Sequence, residues 1–266
     1  MAALRVERDG PVTRVTLARP EVRNAFNAAL IGELHDAFTA LAREPAQRMR
    51  AVVLAGEGPV FSAGADINWQ RAALHLTLEE NEADAARLQA MLRAIDECPA
   101  PVIARVQGAA LGGGMALCAV SDVVLATADA RFGFTEVKLG ILPAVISPFV
   151  LPRIGEGQAR ALYLSGERFG AERALRIGLV HEVLPDETAL DGRVDALLGE
   201  LLAAGPNAVR QAKLLIRVWR DLPSGKFAAH AVRVAARQRV SAEGQEGLTA
   251  FLDKRRASWS VERAPD

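Results

Sequence analysis

The sequence predicts an α/β protein with a parallel sheet, followed by a helical tail. Three observations carry this reading. Short apolar β-like runs alternate with segments of helical periodicity through the first two-thirds of the chain, the order that produces parallel pairing. Beyond about Glu187 only helical periodicity remains. The 266 residues are half apolar, enough to bury a sizeable core.

In chain order, Leu4 to Asp9 and Val12 to Leu17 alternate as strands around Gly10-Pro11, which predicts an opening hairpin. Asn24-Ala25-Phe26-Asn27 leads into a helix over Ala28 to Ala42, where Leu30, Leu34, Phe38 and Leu41 recur at helical spacing, and Ala51 to Ala55 reads as a buried strand. A second unit follows: a helix from about Leu78 to Ile95, the break Pro99-Ala100-Pro101, and the strand Val102 to Val106. A third places a helix after Gly114 and a strand over Val123 to Ala126. The tail is expected to hold Leu197 to Leu202 in one helix, then helices over Ala208 to Trp219, Phe227 to Val240 and Glu243 to Lys254. With no low-complexity or charged linker between the parts, the tail is expected to pack on the core or on a neighbouring subunit.

Composition narrows the function classes. Acidic and basic side chains balance at 32 each, so net charge shows neither a nucleic-acid footprint nor attraction to an anionic membrane. Cys98 and Cys118, the only cysteines, form no CxxC and have no neighbouring His pattern, which removes a disulfide framework and a zinc site. The first 25 residues interleave charges with apolar residues, without a signal-like apolar core, and no later stretch approaches a transmembrane span. A cytoplasmic location is expected.

Two glycine-bearing turns stand out. Phe61-Ser62-Ala63-Gly64-Ala65-Asp66 has small side chains that let a ligand approach the main chain and leave the N–H of Ala65 available, with Asp66 placed to brace the loop. In Leu111-Gly112-Gly113-Gly114-Met115, three glycines open a helix at a cost of roughly 1 kcal/mol each relative to alanine inside that helix. A helix N-terminus offers unsatisfied N–H groups, so Gly113 can present one to a negative oxygen. Two such donors make an oxyanion hole, and Glu136 lies downstream as a proton carrier. Together they point to chemistry on an activated acyl group. The phosphate-binding patterns GxGxxG after the first strand and GxxxxGK[ST] are missing, as is the GxSxG of a serine hydrolase. The histidines (His35, His75, His181, His230) fall outside both turns, and His75, the only one near them, reads as a solvated loop residue.

The segment Arg19-Pro20 to Asn27, FSAGAD at 61–66, VQGAALGGG at 106–114, Ser121-Asp122, FGFTEVKLGILP at 132–143 and GLTAFLDKRR at 247–256 together resemble the enoyl-CoA hydratase/isomerase (crotonase) superfamily over nearly the whole chain. The resemblance implies a spiral of repeated ββα units over residues 1–195, carrying an acyl-CoA site, and a C-terminal helical region over 196–266 that covers CoA and builds homotrimers or dimers of trimers. It assigns the oxyanion hole to the N–H groups of Ala65 and Gly113 and the proton transfer to Glu136. Arg23, Ala25, Ala63, Asp66 and Ile67 would line the CoA adenine and pantetheine, with Phe251 and Lys254 reaching the CoA end. Trp69, Ala116 and Pro143 would border the acyl pocket. Coenzyme A is then part of the substrate; no separate cofactor, metal, nucleic acid or membrane is implied.

One departure matters. Ordinary hydratases of the superfamily carry a second glutamate where this chain has Ala116, a pattern shared with Δ3,Δ2-enoyl-CoA isomerases, whose single carboxylate shuttles one proton. Pro143-Ala144-Val145-Ile146-Ser147-Pro148, Ile67-Asn68-Trp69 and Glu80 to Ala85 (ENEADA) look like bacterial methylglutaconyl-CoA and isohexenylglutaconyl-CoA hydratases. The expected reaction is therefore hydration of a branched 2-enoyl-CoA, in which a substrate carboxylate or a polar group near Trp69 orients the water. Isomerisation by the same Glu136 is the alternative. A catalytically inactive acyl-CoA binder and an RNA binder rank below both; the helix over 28–42 has no lysine, and RNA binding expects a basic stripe.

Overall fold

The computed structural model describes residues 2–260. Strands β1 (Leu4–Asp9) and β2 (Val12–Leu17) form the antiparallel hairpin, turning at Gly10 with φ +55°. Helix α1 (Ala28–Ala42) is capped by Asn27, whose side chain accepts from the Leu30 N–H at 2.9 Å. Next come β3 (Ala51–Gly56), α2 (Ile67–Ala73) and α3 (Leu78–Asp96). A capping box between Thr77 and Glu80 starts α3. The chain continues through β4 (Val102–Val106), β5 (Ala109–Leu111), α4 (Gly113–Val120), β6 (Val123–Thr127), β7 (Arg131–Gly133) and α5 (Ser147–Ser165). After β8 (Arg168–Gly170), α6 (Ala171–Arg176) and β9 (Glu182–Leu184), the tail is helical: α7 (Glu187–Ala203), α8 (Pro206–Asp221), α9 (Ser224–Val240) and α10 (Ala242–Leu252). No described helix is long and apolar enough to cross a membrane.

The main sheet runs β1-β2-β3-β4-β6-β9, parallel from β2 onward. Its central strands β3, β4 and β6 are largely apolar on both faces because both are covered. Val15, Leu17, Val52, Leu54, Val102, Ala104, Val124 and Ala126 face a core shared with α1, α3, α4 and α5. Their alternates Val12, Ala51, Val53, Ile103 and Leu125 face α7, which contributes Leu190, Val194, Leu198 and Leu202 at four-residue spacing. The boundary expected at 195/196 falls inside α7, whose apolar face runs across it unbroken. Polar ties bind the tail to the core. The Arg50 guanidinium reaches the carbonyls of Leu201, Leu202 and Ala204 at the end of α7, and Lys213 of α8 pairs with Asp122 at 2.6 Å.

A second, narrower layer gives the fold its spiral. β5 pairs in parallel with β7, single parallel bridges join Ser62 to Ala110 and Phe26 to Ala65, and antiparallel β8 closes the far edge. Four successive stretches of chain therefore share a plan: a strand in the main sheet, a short extended piece in the narrow layer, then a helical segment. The extended pieces are the residues around Phe26, those from 62 to 65, β5 and β7. This is the expected ββα spiral.

Asn24 anchors the first of these pieces. It is fully buried with φ +55°, a left-handed conformation that asparagine tolerates better than most residues. Its Oδ1 accepts from the Arg19 N–H at 2.9 Å, and its Nδ2 donates to the carbonyls of Glu57 (2.9 Å) and Val60 (2.7 Å). Asn24→Ala removes all three bonds and leaves groups unsatisfied, so urea unfolding is expected to show a loss of about 2–4 kcal/mol. An unchanged unfolding midpoint would refute this anchoring role.

Candidate active site

Phe26, Ala65, Gly113 and Glu136 come from four successive units of the spiral, and each lies at the exit of its narrow-layer piece. All four line one cavity of about 240 Å³. Parallel pairing in that layer brings equivalent exit points side by side, although the residues are spread over more than a hundred positions of sequence.

Pairing also decides where the donors point. Phe26 donates to the Gly64 carbonyl (2.6 Å) and accepts from the Asp66 N–H (2.8 Å), so the N–H of Ala65, between those two, faces away from Phe26. The N–H groups of Ala65 and Gly113 find no acceptor among the described residues. A glycine in the left-handed region precedes each donor: Gly64 with φ +91° and Gly112 with φ +47°. Space also demands glycine at 64, where a Cβ would lie 2.9 Å from the Leu111 carbonyl oxygen, and a Cβ on Gly112 would lie 3.3 Å from Glu136 Oε1. That second distance also sets the Glu136 carboxyl directly against the turn that carries the Gly113 donor.

Glu136 opens a 3-10 turn over Glu136–Leu139, following β7. Its Oε2 is buried with no hydrogen-bond partner among the described residues. Burial raises its pKa above the ordinary glutamate value, with only its own backbone N–H pulling the other way. A carboxyl group held in this manner suits proton exchange near neutral pH better than a solvated glutamate does.

The cavity walls hold residues that sequence reasoning did not assign to the site. α2 supplies Gln70 and Ala73 beside the expected Trp69; α3 supplies Asn81, Asp84, Ala85 and Leu88; and the segment before α5 supplies Ile141, Leu142, Val145 and Ile146 around the expected Pro143. The α3 signal was readable, because Asn81, Asp84, Ala85 and Leu88 recur at i, i+3, i+4 and i+7 and so share one helix face. The seven-residue α2 buries no residue completely and left no comparable pattern.

Among the expected pocket residues, Trp69 and Pro143 line the cavity, whereas Ala116 is fully buried one turn into α4 and does not. Of the expected CoA contacts, none lines this cavity. The Asp66 carboxylate pairs with Arg19 at 2.8 Å and caps α2 through the Asn68 N–H, also at 2.8 Å. Burial opposes its ionisation, but the Arg19 and backbone hydrogen bonds outweigh it and hold its pKa below the ordinary range. It braces the loop. Arg19 also donates to the carbonyl of Ala25, a buried residue on the same loop. Arg23 and Ala63 border an adjoining surface cavity with Arg131 and Arg168, two cations that sequence reasoning did not single out. Ile67, Phe251 and Lys254 are exposed, the last two at and just beyond the end of α10. The thiols of Cys98 and Cys118 are buried, and burial pushes that of Cys118 up to about 12.

Comparison with known proteins identifies the family. The family model for enoyl-CoA hydratase/isomerase matches residues 7–262. A 2,3-dehydroadipyl-CoA hydratase of Escherichia coli is 34% identical over 96% of this chain and 97% of its own, and a crotonyl-CoA hydratase of Syntrophomonas wolfei is 32% identical over 96% of each. Among solved structures, Pseudomonas aeruginosa AtuE superposes with a TM-score of 0.94 at 39% identity, covering 97% of this chain and 100% of the other. An enoyl-CoA hydratase from Shewanella pealeana superposes with a TM-score of 0.91 at 36% identity, covering 97% and 96%. The chain belongs to the enoyl-CoA hydratase/isomerase family, whose members named as hydratases are lyases.

Proposed function

We propose that this protein hydrates a branched 2-enoyl-CoA of the methylglutaconyl-CoA type, with coenzyme A as part of the substrate and no separate cofactor. The observation that carries the proposal is the convergence of two unpaired backbone N–H groups, at Ala65 and Gly113, with the unpartnered carboxyl of Glu136 in one mainly apolar cavity. The thioester oxygen sits between the two donors, where negative charge develops as the double bond is attacked; each donor of this kind is worth about 2.7–4 kcal/mol in related acyl chemistry. Glu136 delivers the proton to C2, or removes it in the reverse direction. Ile141, Leu142, Val145 and Ile146 give a branched acyl chain an apolar wall. The sequence resemblance at Pro143 to Pro148 and Glu80 to Ala85 supports the methylglutaconyl type. Arg23, Ala63 and their neighbours on the adjoining surface serve the CoA moiety, and the exposed tail helices serve trimer assembly.

Isomerisation of a 3-enoyl-CoA by Glu136 is the second reading, favoured by Ala116 in place of a second glutamate. Absorbance assays with 3-methylglutaconyl-CoA and with a 3-enoyl-CoA separate the two; turnover of only the latter would overturn the hydration proposal.

Glu136→Gln is expected to lower kcat by about 10²–10⁴-fold while leaving acyl-CoA affinity within a few-fold, measured by steady-state kinetics and by titration with a saturated acyl-CoA. Activity retained in this variant would remove Glu136 from the mechanism.

The same substitution tests the electrostatics. The folded state raises the Glu136 pKa, so its contribution to stability is fully present below the unfolded value of ~4.3 and is lost as pH rises through the folded value. Glutamine does not titrate. The melting temperature of Glu136→Gln relative to wild type should therefore climb from about pH 4 upward and then level off. A difference independent of pH would contradict the raised pKa.

A further inference from the structure

Two carboxylates border the cavity: Glu136, and Asp84 on α3. Water adding across a polarised double bond needs a group to accept its proton as the oxygen attacks, and Glu136 is already occupied with C2. The α3 wall offers acceptors. Asn81 commits its amide hydrogens to the carbonyls of Leu76 (3.2 Å) and Thr77 (2.9 Å), which leaves its Oδ1 without a partner among the described residues. Asp84 Oδ1 accepts from Arg87 at 2.7 Å, and its Oδ2 has no partner among the described residues. The Asp84 side chain is 13% exposed, against 61% for Arg87, so the carboxylate is sheltered while its counter-ion stands in solvent. Asn81 and Asp84 lie one turn apart on the α3 face that lines the cavity. The lining contains no Arg, Lys or His, so no cation faces Asp84 from within the cavity wall.

We propose that Asp84, with Asn81 beside it, holds the attacking water and takes its proton, supplying from α3 the second carboxylate that Ala116 does not provide on α4. This rests on the hydration reading. The water oxygen bonds to C3 and its proton passes to Asp84. The C2=C3 electron pair moves into the thioester to form an enolate, whose oxygen accepts from Ala65 and Gly113. C2 then takes a proton from the carboxylic acid of Glu136. Asp84 loses its proton to solvent and Glu136 regains one from it, so one water is added and the enzyme is unchanged.

The test is Asp84→Asn in the full chain, beside wild type, Asp84→Glu and Glu136→Gln. Two activities are measured: hydration of crotonyl-CoA and of 3-methylglutaconyl-CoA, and exchange of the α-protons of butyryl-CoA in D₂O, which needs only Glu136 and the two backbone donors. Asp84→Asn is expected to lower the hydration kcat by about 10²-fold or more, with KM and exchange each within about threefold of wild type. Asp84→Glu should recover part of the lost hydration, and Glu136→Gln should lose both activities. Hydration by Asp84→Asn within about threefold of wild type overturns the proposal, and so does a parallel loss of hydration and exchange, since Asp84 would then support the cavity rather than the water. Wild-type protein that exchanges α-protons but hydrates neither substrate would instead defeat the hydration reading itself.

Discussion

Everything in this site depends on parallel pairing within the narrow second layer. The main sheet, with its two apolar faces, would be equally well buried if the short pieces beyond it wandered. What holds them is a few backbone bonds: Phe26 with Gly64 and Asp66, Ser62 with Ala109 and Leu111, and Gly112 with Gly133. These fix the exits of four units in register, and the exits are where the donors and the acid sit. Asn24, Arg19 and Asp66 reinforce the same places through side chains. Much of the buried polar network of the N-terminal half is therefore scaffolding for two N–H groups.

Against that satisfied frame, Glu136 is the local exception. Among the described residues its carboxyl, partly desolvated, finds no cationic partner and has one oxygen with no hydrogen bond. A group in such a position opposes folding when charged, and the unused donors of Ala65 and Gly113 add to that cost. Polar groups left unsatisfied beside one cavity are what a binding site for a polar reactant requires. The ligand supplies what the folded chain withholds.

Much of the architecture was legible in the sequence, because the large strands and long helices carry strong periodicity. The opening hairpin, α1, β3, β4, β6 and the helical tail lie close to where the pattern places them. Elements too short to show a period escaped: β5, β7, β8 and β9 have three residues each, and their pairing comes from distant chain. α5 escaped for a different reason. It contains Pro152 and is two short helical stretches broken at Gly155 (φ +74°), neither long enough to carry a clear period. At the site, the glycines and Glu136 were readable because their chemistry is unusual for their position. The α2 wall was harder to read, since a seven-residue helix that buries no residue completely leaves no period to follow.

The placement of a glycine immediately before each donor has an evolutionary consequence. A main-chain N–H has no side chain to be replaced, so the two donors are exposed to mutation mainly through Gly64 and Gly112, whose left-handed φ strains any side chain placed there. Sequence drift is thereby channelled onto the α2 and α3 walls and the segment before α5, where a single replacement alters the shape and polarity of the cavity. On the proposed chemistry, a lineage built on this spiral can exchange substrates and reactions while inheriting its pair of backbone donors unchanged.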